Sequence, residues 1–222
     1  MNVLVVLAHP EPRSFNGALF DTAVATLREA GHTVATSDLC RMGFDPVSDR
    51  RNFREAKDPA FLKLQAEELH ATETRGFAAG LEAEIAKVEA ADLMIWQFPL
   101  WWFGLPGILK GWVDRVFAMG RAYGPGRMYG TGLFTGKRAL LSLTTGGPQE
   151  AYRPDGLHGD LEGVLRPIHR GMLEFTGFSV LAPQVHYQPV RVDPAEREAW
   201  LAAWVERLRR IEAETPIAAG RY

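Results

Sequence analysis

Val3-Leu4-Val5-Val6-Leu7, closed by Ala8-His9-Pro10, is a continuous aliphatic run with no polar alternation. A strand that is apolar at every position has no solvent face, the mark of a parallel sheet covered by helices on both sides. The rest of the chain follows the same plan. From Asn16 to Ala30 the apolar residues Ala18, Leu19, Ala23, Val24 and Leu27 recur at helical spacing, and Gly31 supplies a stop. His32 to Leu39 reads as a second strand. A helix through Leu81, Ile85 and Val88 precedes a third strand, Asp92 to Phe98, and a helix from about Pro106 to Phe117 follows it. Lys137 to Thr145 is a fourth strand, Asp160 to Thr176 a helix, and Phe178 to Val185 a fifth strand. Pro194 to Ile211 closes as an amphipathic helix with Asp193 as its N-cap. Strands alternating with helices predict an α/β fold: a doubly wound sheet of five parallel strands in the order 2-1-3-4-5, with residues 1–222 forming a single domain.

Composition narrows the function classes. The 222 residues are 46% hydrophobic and 23% charged, with a formal net charge of −2, so there is no basic excess to grip nucleic acid. The one cysteine, Cys40, excludes an intrachain disulfide framework and suggests a reducing, cytoplasmic setting. The apolar start lacks a basic leader and meets His9-Pro10-Glu11-Pro12 too early for a signal peptide. The longest apolar stretch, Leu93 to Leu109, is broken by Gln97, Pro99, Gly104, Pro106 and Gly107, so it reads as strand, turn and helix rather than a membrane span. Two excursions, Arg41 to Gly80 and the Gly- and Tyr-rich Arg121 to Gly136, are read as irregular loops of the length that tends to carry function.

Ligands of open α/β sheets sit beyond the carboxyl ends of the strands, where His9–Asn16, Pro99–Phe103 and Thr144–Gly147 are expected to converge. Ser14, Asn16 and the free N–H groups near Gly17 suit a phosphate at a helix start, although the same residues make an ordinary N-cap. No G-x-G-x-x-G follows the first strand, which argues against a dinucleotide-binding dehydrogenase of the Rossmann type. Trp101, Trp102 and Phe103 lie in a Pro/Gly-bounded turn and could stack on a flat conjugated ligand; a plugged core or a subunit contact is the alternative. Thr144-Thr145-Gly146-Gly147 offers hydroxyls and exposed amides, either as a donor nest or as a plain glycine turn. Tyr152 and His158 could act together on a proton or a developing negative charge. His32, His70, His169 and His186 form no metal-spaced pair and are read as structural, with no metal site expected.

These segments, LVVLAHPEPRSFNGAL, QFPLWWFGLPGILKGWVDRVF and LSLTTGGPQEAY followed by HGD, resemble the NAD(P)H:quinone oxidoreductase family of flavodoxin-like flavoproteins. The resemblance runs from Val3 to about Thr215. It implies a flavodoxin-like fold, bound FAD rather than FMN, NADH or NADPH as co-substrate and a quinone or similar planar oxidant as acceptor. It further implies a homodimer with the active site at its interface. Carried over by position, His9, Ser14, Phe15, Asn16 and Ala18 would hold the diphosphate side of FAD. Pro99, Leu100, Trp101, Trp102 and Phe103 would lie along the isoalloxazine, with Trp102, Phe103, Tyr123 and Phe178 facing substrate. Thr144, Thr145, Gly146 and Gly147 would face the flavin's polar edge, Arg197 its adenine, and Tyr152 and His158 would stabilise charge on it.

Departures from the mammalian members bear on pocket shape: Trp101 stands where they commonly carry Gln, and Pro125 near the second substrate-facing tyrosine. The implied reaction is two-electron hydride transfer from NAD(P)H through FAD to quinone, in a ping-pong cycle sharing one pocket. Three other readings share the fold: an ancillary regulatory subunit of a glutathione-gated potassium efflux system, an azo or nitroaromatic reductase, and an electron-carrier flavodoxin. The near-neutral charge and the aromatic loop argue against the carrier.

Overall fold

In the computed structural model, which describes residues 1–220, the apolar runs become the strands of one parallel sheet. These are β1 (Asn2–Leu7), β2 (Thr33–Asp38), β3 (Leu93–Pro99), β4 (Arg138–Thr145), β5 (Ser179–Val180) and β6 (Gln184–Tyr187). The spatial order is β2-β1-β3-β4-β5, as the alternation predicts, with β6 also paired to β4. The helices are α1 (Phe15–Glu29), α2 (Leu64–Thr74), α3 (Ala79–Ala90), α4 (Gly107–Val116), α5 (Leu161–Ile168) and α6 (Pro194–Leu208).

Strand alternation sorts the core into two layers. Val3, Val5, Leu93, Ile95 and Leu140 point toward Leu19, Ala23 and Leu27 of α1 and Trp204 and Leu208 of α6. Leu4, Val6, Met94, Trp96, Phe98, Leu141 and Leu143 point the other way, toward Ile85, Leu109, Trp112, Val116, Leu165 and Leu173. Both sheet faces are therefore dry, and this explains why the strands carry unbroken apolar runs.

Two expectations need correction and one is refined. The fifth strand is two short ones: β5 pairs with Arg138 and Ala139, β6 pairs with Ser142 to Thr145, and the interruption contains Pro183, which has no N–H to give a ladder. The helix expected over Asp160 to Thr176 is present but changes its winding after Ile168. Pro167 lies within its last turn, and His169–Glu174 winds as a wider π-helix. The excursion expected to be irregular holds α2 and a 3₁₀ turn, Arg50–Asn52. Buried carboxylates anchor α2: Glu67 accepts from the N–H groups of Lys57 and Asp58, and Glu68 from that of Met119. Among the described residues no helix is long and apolar enough to cross a membrane.

The excursion is pressed against α4 at one glycine. A Cβ on Gly111 would lie 2.3 Å from Pro46 Cβ and from its carbonyl oxygen, whereas a Cβ on the exposed Gly80 of α3 would meet nothing within 4 Å. Gly111→Ala is expected to destabilise the protein by about 1–3 kcal/mol through overpacking, and Gly80→Ala to stabilise it by about 0.5–1 kcal/mol. Urea denaturation of both variants checks the pair; equal effects of one sign would contradict it.

Candidate functional site

The start of α1 and the carboxyl ends of β3 and β4 are tied together by one buried amide. Asn16, in the first turn of α1, accepts from Gln97 Nε2 at 2.8 Å and donates through Nδ2 to Thr144 Oγ1 at 3.0 Å. All three residues are buried. The side chains of Asn16 and Thr144 thus face inward as structural ties, which leaves contact with an anion at the helix start to backbone groups. Ser14 caps α1 by accepting from Gly17 N at 3.1 Å, and its carbonyl accepts from Ala18 N. The N–H groups of Phe15 and Asn16 have no acceptor among the described residues, so two donors and the positive end of the helix dipole remain available for an anion. His9 Nδ1 lies 3.0 Å from Glu11 N, shaping the loop before the cap.

Beyond β3 the chain makes a two-residue turn. Trp101 and Gly104 exchange backbone hydrogen bonds of 3.2 and 3.0 Å. Trp102 and Phe103 between them both adopt left-handed backbone, φ +51° and +57°. That geometry normally selects Gly or Asn, and non-glycine residues there cost about 1–2 kcal/mol each. The strain holds two aromatic rings at the sheet edge, with Trp102 97% exposed.

Phe103 connects this turn to the third segment. Its ring centroid lies 5.2 Å from that of His158 and 6.5 Å from that of Tyr152. Tyr152 and His158 are 5.1 Å apart, and His158 N donates to Ala151 O at 2.7 Å, closing the loop that carries both. A Cβ on Gly147 would come within 3.1 Å of Tyr152 Cε2 and 3.4 Å of His158 Nε2, so these rings lie close against the β4 loop where a side chain would crowd them. Burial raises the Tyr152 phenol above its usual range. Tyr187, 5.9 Å from Tyr152 by centroids, is raised first by burial and then by Tyr152. A planar group with acceptor atoms would find here a stacking surface, two free glycine amides and a protonated phenol.

Tyr123, Phe178 and Arg197, also singled out in the sequence, have partners within the chain. Phe178, expected to face substrate, is instead 2% exposed and packed against Phe117 and Phe134. Phe175 instead shares a surface with Tyr123, at 5.7 Å, and Tyr129, at 5.5 Å. They border a cleft of about 360 Å³ that contains Tyr123 and Phe175 and none of the turn residues. Arg197 Nη1 donates to the carbonyls of Pro189 and Val192, stapling a loop. Sequence reading passed over Gln97, Phe175, Tyr187 and Gln188. Of these only Gln97 carried a signal, as the one polar side chain inside an apolar strand. A cleft of about 610 Å³ opens between β1 and β2 and includes His9, Asp38, Cys40 and Arg41 but no residue of the aromatic turn. The aromatic turn and the Tyr152–His158 pair lie outside it.

The match to a family model described as a flavodoxin-like fold covers residues 1–210. A ribosyldihydronicotinamide dehydrogenase [quinone] of Pongo abelii is 45% identical over 97% of this chain and 94% of its own length. NAD(P)H dehydrogenase [quinone] 1 of Cavia porcellus is 46% identical over 96% of this chain and 78% of its own. A solved structure from Klebsiella pneumoniae superposes with a TM-score of 0.93 at 40% identity, covering 98% of this chain and 87% of that one.

Beneath the start of α1, His186 is packed between Phe15, at 5.4 Å, and Trp200, at 5.0 Å. Burial pushes its imidazole down to about 4. The same cause holds His169 at about 4, against the attraction of Glu174. Unfolded imidazoles titrate near 6.5, so the unfolded chain takes up protons first as the pH falls. Stability present above about pH 6.5 is therefore lost progressively toward pH 4, on the order of 3 kcal/mol per histidine at most. His186→Leu is expected to fall less steeply than the parent between pH 6.5 and 4 in urea melts; an unchanged slope would contradict this.

Proposed function

The chain belongs to the family with the flavodoxin-like fold, and from that premise we propose that it is a flavin-dependent NAD(P)H:quinone oxidoreductase; one relative is named NAD(P)H dehydrogenase [quinone] 1 and another ribosyldihydronicotinamide dehydrogenase [quinone]. The observation that carries the reading is the meeting of Tyr152, His158, Phe103 and Gly147 at the end of β4. These residues fit a flavin. The N–H groups of Gly146 and Gly147 have no acceptor among the described residues, and a Cβ on Gly146 would meet nothing within 4 Å, so a flat ring edge rich in acceptors has both donors and room. A flavin held there, FAD in this proposal, would supply two-electron hydride chemistry between NADH or NADPH and a quinone, with the two substrates using the pocket in turn.

The chain's own residues then have separable tasks. The amides of Gly146 and Gly147 stabilise negative charge on the polar edge, already oriented before reaction. Tyr152 would donate a hydrogen bond to that edge, with His158 beside it, 5.1 Å away by ring centroids, acting on the same charge. Trp102 and Phe103 supply the stacking wall and exclude water. The amides of Phe15 and Asn16 hold a phosphate of the cofactor's diphosphate.

One wall is missing from a single chain. Trp101, Trp102 and Phe103 are open to solvent, while Tyr123 and Phe175 form a second aromatic patch with no ring contact to the turn. A homodimer in which one protomer's patch covers its partner's turn completes the pocket and hides both surfaces.

Purified protein is expected to scatter light as a dimer and to release FAD on denaturation; an active monomer removes the shared pocket, and FMN alone removes the dinucleotide. Tyr152→Phe and His158→Gln are expected to slow the reductive half-reaction by about 10²-fold, with flavin content unchanged, because both act on charge that develops only during transfer. The double variant should lose less than the product of the single effects. Stopped-flow reduction by NAD(P)H reads this step alone, and parent-like rates in both single variants would reject the roles.

A further inference from the structure

Gln188, immediately after β6, has φ +50°. It precedes Pro189, whose ring pushes the residue before it toward extended backbone, so both neighbour sterics and chirality oppose this conformation. Its polar groups show what the conformation accomplishes. Gln188 N donates to Thr145 O at 2.9 Å, continuing the β4 to β6 ladder by one residue, and Gln188 Nε2 donates to Gly146 O at 3.2 Å. Thr145 Oγ1 donates to Gly147 O at 2.8 Å. Both glycine carbonyls of the β4 loop are therefore tied back, one by a side chain from β6 and one by the loop's own threonine.

The consequence follows from the planarity of the peptide unit. Gly146 C=O and Gly147 N–H belong to one trans peptide and point in opposite directions; no cis bond occurs among the described residues. Fixing the carbonyl toward Gln188 aims the Gly147 N–H away from it, and neither this N–H nor that of Gly146 has an acceptor among the described residues. The loop bearing Gln188 is itself held: Arg191 N donates to Gln188 O at 2.8 Å, and Arg197 Nη1 donates to the Pro189 and Val192 carbonyls.

We infer that Gln188 is a positioning residue that locks the Gly146–Gly147 peptide with its N–H aimed at the cofactor, so that the donor stands preorganised where negative charge develops. Arg197 serves the same end from α6 by stapling residues 189–192. The inference rests on the proposal that a flavin binds at the end of β4. Without the tie, the peptide is free to turn, and a turned peptide presents a carbonyl where the reduced, negatively charged ring needs a donor.

Gln188→Gly and Gln188→Glu in the full chain test this through the midpoint potential of the bound flavin, measured by spectroelectrochemical titration. Glycine relieves the left-handed backbone but removes the tie, while glutamate keeps the length and sets a carboxylate against the Gly146 carbonyl. Gln188→Gly is expected to melt at or above the parent's temperature as flavin-free protein, yet to prefer the reduced flavin about tenfold less. That factor is about 30 mV for a two-electron couple. Gln188→Glu is expected to lose more. A structural role alone would lower the melting temperature and leave the potential in place. Parent-like potentials in both flavin-loaded variants overturn the inference and spare the function, whereas a parent protein that binds no flavin overturns both.

Discussion

The bridge from Gln97 through the Asn16 amide to Thr144 is the interaction on which the site depends. Each partner sits at the carboxyl end or start of a different element, and each is buried, so breaking the bridge leaves polar atoms unsatisfied in a dry layer. Because the bridge is made of short side chains, it allows no slack between the start of α1, the end of β3 and the end of β4. The free amides of Phe15 and Asn16, the aromatic turn and the glycine loop consequently hold fixed positions relative to one another. Preorganisation of this kind lets fixed dipoles stabilise charge without rearranging.

Three of the five non-glycine residues with left-handed backbone among the described residues, Trp102, Phe103 and Gln188, lie within the segments that converge beyond β3, β4 and β6; Arg75 and Tyr129 are the others. A covered and tightly packed sheet supplies the stability to hold the three there. The β2 side of the sheet edge, although it holds the larger cleft, has none of these features in its lining.

Much of the fold was legible because covered parallel strands must be apolar throughout, and Val3–Leu7, Leu93–Phe98 and Ala139–Leu143 declare this without ambiguity. What escaped was whatever depends on distant partners. α2 is held by Glu67 and Glu68 capping backbone amides from other segments, which no periodicity reveals. Pro183 and Pro167 were visible as residues, but whether each would break or merely bend its element depended on packing. At the site, the three convergent loops and the Tyr152–His158 pairing were readable from topology and resemblance. The inward turn of Asn16, the burial of Phe178 in place of Phe175 and the local use of Arg197 were not, because each is decided by which side chain wins a contact across the sheet.

A crystal structure of the flavin-loaded protein decides where the ring binds. Its polar edge is expected within hydrogen-bond distance of the Gly146 and Gly147 amides, with its face against Trp102 and Phe103. A ring seated instead in the cleft between β1 and β2, beside Asp38 and Arg41, would overturn the proposed site at the end of β4.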